Sequence, residues 1–331
     1  MDRRDFLRQL VSGTAALALA GAGWPAPVRA AGGKSRVVLA RNTSLAGLEG
    51  PALDNAIANL VHLAVKDAVG AATPQQAWSG LFKADDVVAV KINCLAPELA
   101  PSQGVILAIV QGLMAAGLPP EHIIVYDKED RDLTKAGYVL NSRDPGYRCY
   151  GTIGETANPG YEERFTLIHD TSFRLSKIVT REATAIINVP VVKQHEYAGI
   201  TGALKNHFGT IHNPEDFHKF ACDPAVADVN QAVPLKTKQR LIVVDALRVL
   251  CNGGPAFAPQ YVLPYWAVFA GTDPVAMDVE LLQLIELCRQ QQGLESVTKQ
   301  EYPPQHIQSA ARAGLGTADL GQIDLVVHSF G

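Results

Sequence analysis

The sequence predicts an α/β protein whose mostly parallel sheet is flanked by helices. Short β-branched runs alternate along the chain with stretches of 3.6-residue apolar periodicity, and a 47% apolar composition is ample for a buried core. Arg36–Ala40 reads as the first strand and Leu53–Val69 as the first helix. Strands at Val87–Ile92 and His122–Asp127 bracket a helix at Gly104–Ala116. Lys128–Arg164, rich in Gly, Pro, Tyr, Asp and Arg, shows neither period and reads as a long excursion from the sheet, placed to act as a lid. Further strands fall at Thr184–Val189, Leu241–Asp245 and Ala267–Gly271. Thr272-Asp273-Pro274 then fits a helix N-cap with proline at the first helical position, opening a helix that runs to Gln291. Asp278 lies in its first turns, where a carboxylate suits the helix dipole. A helix at Pro304–Ala313 and a strand at Ile323–Val327 complete the pattern. Such a chain makes either one large α/β domain or two lobes, about 36–180 and 181–331, with a site in the crevice between them.

The first thirty residues follow a different rule. Arg3-Arg4 with Phe6-Leu7, a weakly apolar run from Val11 to Ala22 and a Val28-Arg29-Ala30 cleavage-like site resemble a twin-arginine (Tat) export signal. Ser12, Gly13 and Thr14 interrupt the run, which falls short of the ~20 strongly apolar residues a spanning helix needs. The expected organisation is a signal at 1–30, a linker at 31–35 and an α/β domain at 36–331. The Tat machinery would deliver it to the periplasm or otherwise export it, with no transmembrane domain after cleavage. That route carries folded proteins, often with a cofactor in place, so a metal ion or an organic cofactor stays open.

Removing residues 1–30, which carry four Arg and two Asp, leaves 25 Lys and Arg against 31 Asp and Glu, so the net charge moves from −4 to −6. A mildly acidic chain with no basic block does not read as a binder of nucleic acid or anionic membranes. Cys94, Cys149, Cys222, Cys251 and Cys288 are scattered without a C-x-x-C pair, so no iron–sulfur or zinc-ribbon motif is present, and the odd count leaves a thiol unpaired. There is no nucleotide-binding glycine loop and no nucleophile elbow.

Chemistry concentrates in Pro190–Pro214, PVVKQHEYAGITGALKNHFGTIHNP. Lys193 and Lys205 supply positive charge, His195 can move a proton or bind a metal near neutral pH, and Gly199 and Gly202 let backbone amides approach a ligand. In open α/β sheets ligands gather beyond the carboxyl ends of the strands. The polar residues there are Lys91 and Asn93, Asp127, Lys193 and His195, Asp245, and Thr272-Asp273. Lys91 stands out, because a lysine inside an apolar strand must be paired or have its pKa lowered. Asp127 and Asp245 suit turn starts equally well, and Asp245 also suits tuning a histidine or joining His195 on a metal. Thr201 can cap a short helix at Gly202–Phe208 whose first-turn N–H groups would face an anion. On that helix Lys205 and His207 stand about 200° apart, so they cannot share a ligand. Lys205 is grouped with His195 and His207 is assigned to the opposite face, while His212 and His218 fall in a polar loop where solvation is the default.

Several motifs in order resemble the family called domain of unknown function 362: VVAVKINCLAP, the Pro190–Asn213 stretch, VVDALRVLCNGGP and AGTDPVAMD, together spanning roughly Val37 to Gln292. The resemblance implies membership without a reaction. Many members carry a ferredoxin-like extension that this sequence lacks, and where relatives have Lys-Pro-Asn it has Lys91-Ile92-Asn93 followed by Cys94. That thiol would be a ligand, a nucleophile or a small buried residue. A fainter likeness is to the nickel-dependent lactate racemases, in whose pattern His195, Ala198-Gly199 with Gly202, and Lys205 would correspond. It implies a histidine acid/base and a lysine that holds a cofactor, without the further histidines of that site.

The functional expectation is an exported enzyme that binds a small anionic ligand or an organic or metal cofactor in a Lys/His crevice. His195, Lys205 and Lys193 would be catalytic. Lys91, Asn93, Gly199, Gly202 and Asn206 would hold the ligand, and His195 with Asp245 would hold any metal. The alternative is a non-catalytic ligand-binding or cofactor-assembly factor for exported redox proteins.

Overall fold

The computed structural model describes residues 33–331, so the expected Tat-type signal at 1–30 and the first two residues of the expected linker lie outside it. The strands are β1 (Ser35–Asn42), β2 (Val88–Lys91), β3 (Ile123–Tyr126), β4 (Arg148–Cys149), β5 (Thr166–Ile168), β6 (Thr171–Phe173), β7 (Ala185–Asn188), β8 (Val191–His195), β9 (Gly199–Thr201), β10 (Gln239–Leu250), β11 (Val262–Gly271) and β12 (Ile323–Phe330). All seven expected strands are present. Ten of the twelve form one sheet in the order β12-β1-β11-β10-β7-β2-β3-β4, with β8 added to β10 and β9 to β8.

Along that path the pairs are parallel except where β11 meets β1 and β10. The α/β, mostly parallel expectation therefore holds, with a single reversal. The reversal sends the carboxyl end of β11 to the opposite edge of the sheet, so Thr272 and Asp273 do not join the rim. Asp273 caps the helix Pro274–Gln291 instead, accepting from the N–H groups of Val275 and Ala276 at 2.9 Å each. It also takes the Ser35 hydroxyl at 2.6 Å and the Thr317 N–H at 3.0 Å.

Side-chain alternation divides the interior into two cores. In β1, Val37 and Leu39 face one core and Val38 and Ala40 the other. The helices Gly50–Ala68, Pro74–Leu81 and Gln103–Ala115 cover the second. Pro274–Gln291, Gln305–Arg312 and the short helices after residue 200 cover the first. Strands from 36–180 and 181–331 interleave in this one sheet, because β1 lies between β12 and β11 while β7 lies between β10 and β2. Among the described residues no helix is long and apolar enough to cross a membrane.

One break in the ladder sets up the site. β7 pairs with the first part of β10, Gln239 to Ile242, and stops at Asn188. Proline at 190 cannot donate a ladder hydrogen bond, but its carbonyl accepts from Asp245 N–H at 3.0 Å. β8 then resumes alongside Asp245 to Leu250. The chain is thereby carried past the sheet edge and doubles back as β9, opposing Lys193 with Thr201 and His195 with Gly199. Lys193 and His195, two apart, share a face. Gln194 points the other way, accepting the Gly254 N–H at 2.9 Å.

On the far layer, helix Pro74–Leu81 seats Trp78 against Gly112, where an added Cβ would lie 2.2 Å from ring Cε2. Gly112→Ala is expected to lower stability by about 1–3 kcal/mol through overpacking. A urea titration should show a lower midpoint with an unchanged slope.

Candidate functional site

The carboxyl ends of β2, β3 and β8 surround a cavity of about 180 Å³, room for roughly six waters at about 30 Å³ each. Beside it lies an ion pair. Lys91, fully buried, places Nζ 2.8 Å from Asp127 Oδ1 and also donates to the Ile92 carbonyl and to Asn206 Oδ1. Asp127 accepts the Cys94 N–H at 2.6 Å and the Lys128 N–H at 2.8 Å. Gly209 closes over the pair, and a Cβ there would sit 2.7 Å from both Lys91 Nζ and Asp127 Oδ1. Lys91 thus has its ammonium engaged and does not line the cavity, a correction to its expected role as a ligand contact. It organises the residues that do. Asn206 Oδ1 accepts from Asn93 Nδ2 at 3.3 Å, and Asn93 Oδ1 accepts from Lys193 Nζ at 3.0 Å.

Lys193, His195 and Lys205 all line the cavity, as the sequence predicts. Among the described residues neither lysine has a carboxylate within 4.0 Å. Burial, then the neighbouring Lys205 cation, pulls the Lys193 pKa down to about 8. Burial also lowers that of Lys205, opposed by the Cys222 thiol beside it. Lys205 Nζ lies 4.4 Å from the centre of the Phe208 ring and 3.4 Å from His218 Nε2.

The histidines are held neutral. Burial, followed by Lys205, drives the His195 pKa far below its ordinary value. His195 Nδ1 accepts the Tyr197 N–H at 3.1 Å, which leaves the ring hydrogen on Nε2. His218, expected in solvent, lines the cavity instead, stacked on Tyr197 with ring centroids 5.5 Å apart. Burial and Lys205 bring its pKa to about 4. His306, from helix Gln305–Arg312, is fully buried with both ring nitrogens unpartnered among the described residues, and burial and Lys205 lower it to about 3.

The short helix does not offer its N-terminus to a ligand. It spans Ala203–Asn206 with Gly202 at the cap position and no side-chain cap, so Thr201 does not cap it. Asp278 reaches across to accept the N–H groups of Ala203 and Leu204, and burial pushes its pKa up to about 7. Gly202 is glycine because a Cβ would lie 2.2 Å from Asp278 Oδ1. Gly199 has φ +73° and packs on Pro304, where a Cβ would meet ring Cδ at 2.7 Å. Neither glycine lines the cavity. Thr201 does, with its buried hydroxyl unpartnered among the described residues. Asn206 is buried in the polar network, donating to Asn188 Oδ1 at 2.8 Å and to the Lys91 carbonyl at 3.2 Å. His207 faces away as expected, with Nε2 2.7 Å from Gln239 Oε1.

The expected pairing of His195 with Asp245 on a metal does not form. Asp245 accepts the N–H groups of Ser102 at 2.6 Å and Leu247 at 2.9 Å and is not among the cavity residues. A metal on His195 Nε2 would need hydrogen on Nδ1, which already faces an N–H donor. Among the described residues no group of three or more His, Cys, Asp and Glu is placed to hold a metal ion. All five cysteines are free and buried, and burial holds the Cys94 thiol well above its ordinary pKa, which suits packing rather than nucleophilic attack. Of the excursion Lys128–Arg164, only Lys128, Glu129, Arg131 and Asp132 reach the cavity.

Removing one partner of a buried ion pair strands the other, so Lys91→Met should cost about 3–5 kcal/mol. Lys91→Met with Asp127→Asn should cost less than the two single changes summed, as a double-mutant cycle in urea would measure. The neutral histidines set an acid limit. His207 and His218 have folded pKa values near 4 and His306 near 3, against 6.5 ordinarily. The unfolded chain therefore binds more protons there, and stability contributed by these groups is lost as pH falls from about 6.5 towards 4. Asp278 and Glu280, raised to about 7, act in the opposite sense with Asp132, Asp223 and Asp245, also raised by burial, but these five face six histidines lowered by burial, His62, His195 and His212 joining the three above. His306→Leu should move the midpoint of acid unfolding to lower pH.

No curated protein matches the chain. A crystal structure of a Thermotoga maritima protein is similar at 14% identity and a TM-score of 0.41, covering 75% of this chain, which spans 61% of that protein's length. The family described as "Domain of unknown function (DUF362)" matches residues 88–283, from the first residue of β2 into helix Pro274–Gln291 and across the whole cavity lining, and the chain belongs to that family.

Proposed function

We propose that the protein is an exported enzyme that binds a small anionic molecule between Lys193 and Lys205 and acts on it by proton transfer. One observation carries the reading: two buried ammonium groups face one small cavity with no carboxylate in ion-pair range among the described residues. An uncompensated buried charge costs several kcal/mol, on the order of 3–5 when its partner is missing. A carboxylate or phosphate in the cavity would offset that cost and take charge-assisted hydrogen bonds from both lysines. His195 presents Nε2–H, so it serves as a neutral hydrogen-bond donor rather than as a base. Lys193, with a pKa of about 8, is the group that can exchange a proton near neutral pH. The Arg3-Arg4 leader supports export in the folded state by the twin-arginine route.

Titration calorimetry with oxalate and with inorganic phosphate tests the anion site. Lys205→Ala should weaken binding by roughly tenfold or more, as expected for a lost hydrogen bond to a charged group. Anion binding favours protonated Lys193, so affinity should be level below pH 8 and fall as pH rises above about 8. Small hydroxy acids and phosphate compounds are the substrates to assay. Stoichiometric binding without turnover would instead make the same cavity that of a carrier.

A further inference from the structure

We infer that Lys193 is a carbonyl-capturing nucleophile, forming an imine with a small aldehyde acid or 2-oxo acid whose carboxylate is held by Lys205. The inference rests on the anion site just described and names the substrate class. Among the described residues Lys193 Nζ has one hydrogen-bond partner, Asn93 Oδ1 at 3.0 Å, so its remaining positions are open to a ligand. Phe208, Leu95 and Pro255 contribute apolar surface to the same cavity. Burial beside a second cation is how proteins keep a lysine amine free to attack carbonyls.

The second observation is Thr201. It stands directly opposite Lys193 in the β8–β9 ladder, lines the cavity, is 3% exposed and has an unpartnered hydroxyl among the described residues. Cross-strand partners on one face lie within reach of a common small ligand. A buried hydroxyl without a partner is costly, and an oxygen on the carbon attacked by Lys193 would satisfy it. His195 Nε2–H, two residues along the same face, is a second donor for that oxygen.

The chemistry balances without an oxidant. The Lys193 lone pair forms the N–C bond as the carbonyl π bond breaks, and one amine proton moves to the oxygen to give a carbinolamine. The C–O bond then breaks, the oxygen leaves as water with the second amine proton, and the C=N bond forms.

Incubating the full chain with glyoxylate and sodium cyanoborohydride at pH 7.5, then mapping modified lysines by peptide mass spectrometry, tests the proposal. The expected result is labelling of Lys193 at least roughly tenfold faster than exposed Lys83 and Lys135, reflecting its larger free-amine fraction. Oxalate, which fills the anion site but lacks a comparably reactive carbonyl, should suppress it. Lys193→Arg should lose the label while Lys83 and Lys135 keep theirs. Labelling of Lys193 no faster than that of the exposed lysines, with oxalate binding intact in calorimetry, overturns the imine and leaves the anion site standing. Absence of both overturns the two readings together.

Discussion

The buried pair of Lys91 and Asp127 determines what the cavity can be. It neutralises Lys91, while Lys128 and Arg131 in the lining are paired with Glu215 and with Glu129 and Asp132, so among the described residues the lining cations without a carboxylate partner are Lys193 and Lys205. It also fixes the surrounding backbone, because Asp127 takes the N–H groups of Cys94 and Lys128 while Asn206 ties Lys91 to Asn93 and hence to Lys193. Such a pair is weak support for net stability, since desolvation offsets much of its attraction. Its effect is geometric, holding five polar groups from four separate stretches of chain in one arrangement.

The broken strand at Pro190 supplies the other half. β7 lies beside β2, whereas β8 lies between β10 and β9 in the same sheet. By stopping at Asn188 and resuming against the later part of β10, the chain brings Lys193 and His195 to the cavity lined by Asn93 and Asp127, which follow β2 and β3. β9 then returns Thr201 and Lys205 to the same place. Asp278 anchors that return by occupying the helix N–H groups, so the turn bearing Lys205 is held by the protein itself.

Much of the fold was legible because its signals are local. Each β-branched run and each apolar stripe announces itself within a dozen residues, and the shared face of Lys193 and His195 follows from period two alone. What was not legible depended on pairing at a distance. Nothing within Ala267–Gly271 says that β11 runs backwards, and that direction removed Asp273 from the rim. Asp278 looked like a dipole partner for its own helix because its true partners lie 75 and 74 positions earlier. Thr201 has the look of a cap wherever it precedes a helix, and His218 in a polar segment defaults to solvent. The stacking surface of Tyr197 that draws His218 inward exists only after the hairpin forms. The glycines misled in a consistent way, since Gly199 and Gly202 both permit close approach, but the approaching groups are Pro304 and Asp278 rather than a ligand.

The histidines explain why the lysines can remain unpaired. Carboxylates do line the cavity, but Asp127, Glu129, Asp132 and Glu215 are each paired with Lys91, Arg131 or Lys128 and not with Lys193 or Lys205. Beside Lys205 the walls are neutral imidazoles, which neither pair with the lysines nor repel them. Lys205 depresses His195, His218 and His306 alike, so the ammonium helps keep its neighbours uncharged. They in turn leave its field available to an anion. The cost falls on stability, through buried nitrogens without partners and a fold that weakens in acid, which is the form of local inconsistency expected where a site is kept for a ligand rather than for packing.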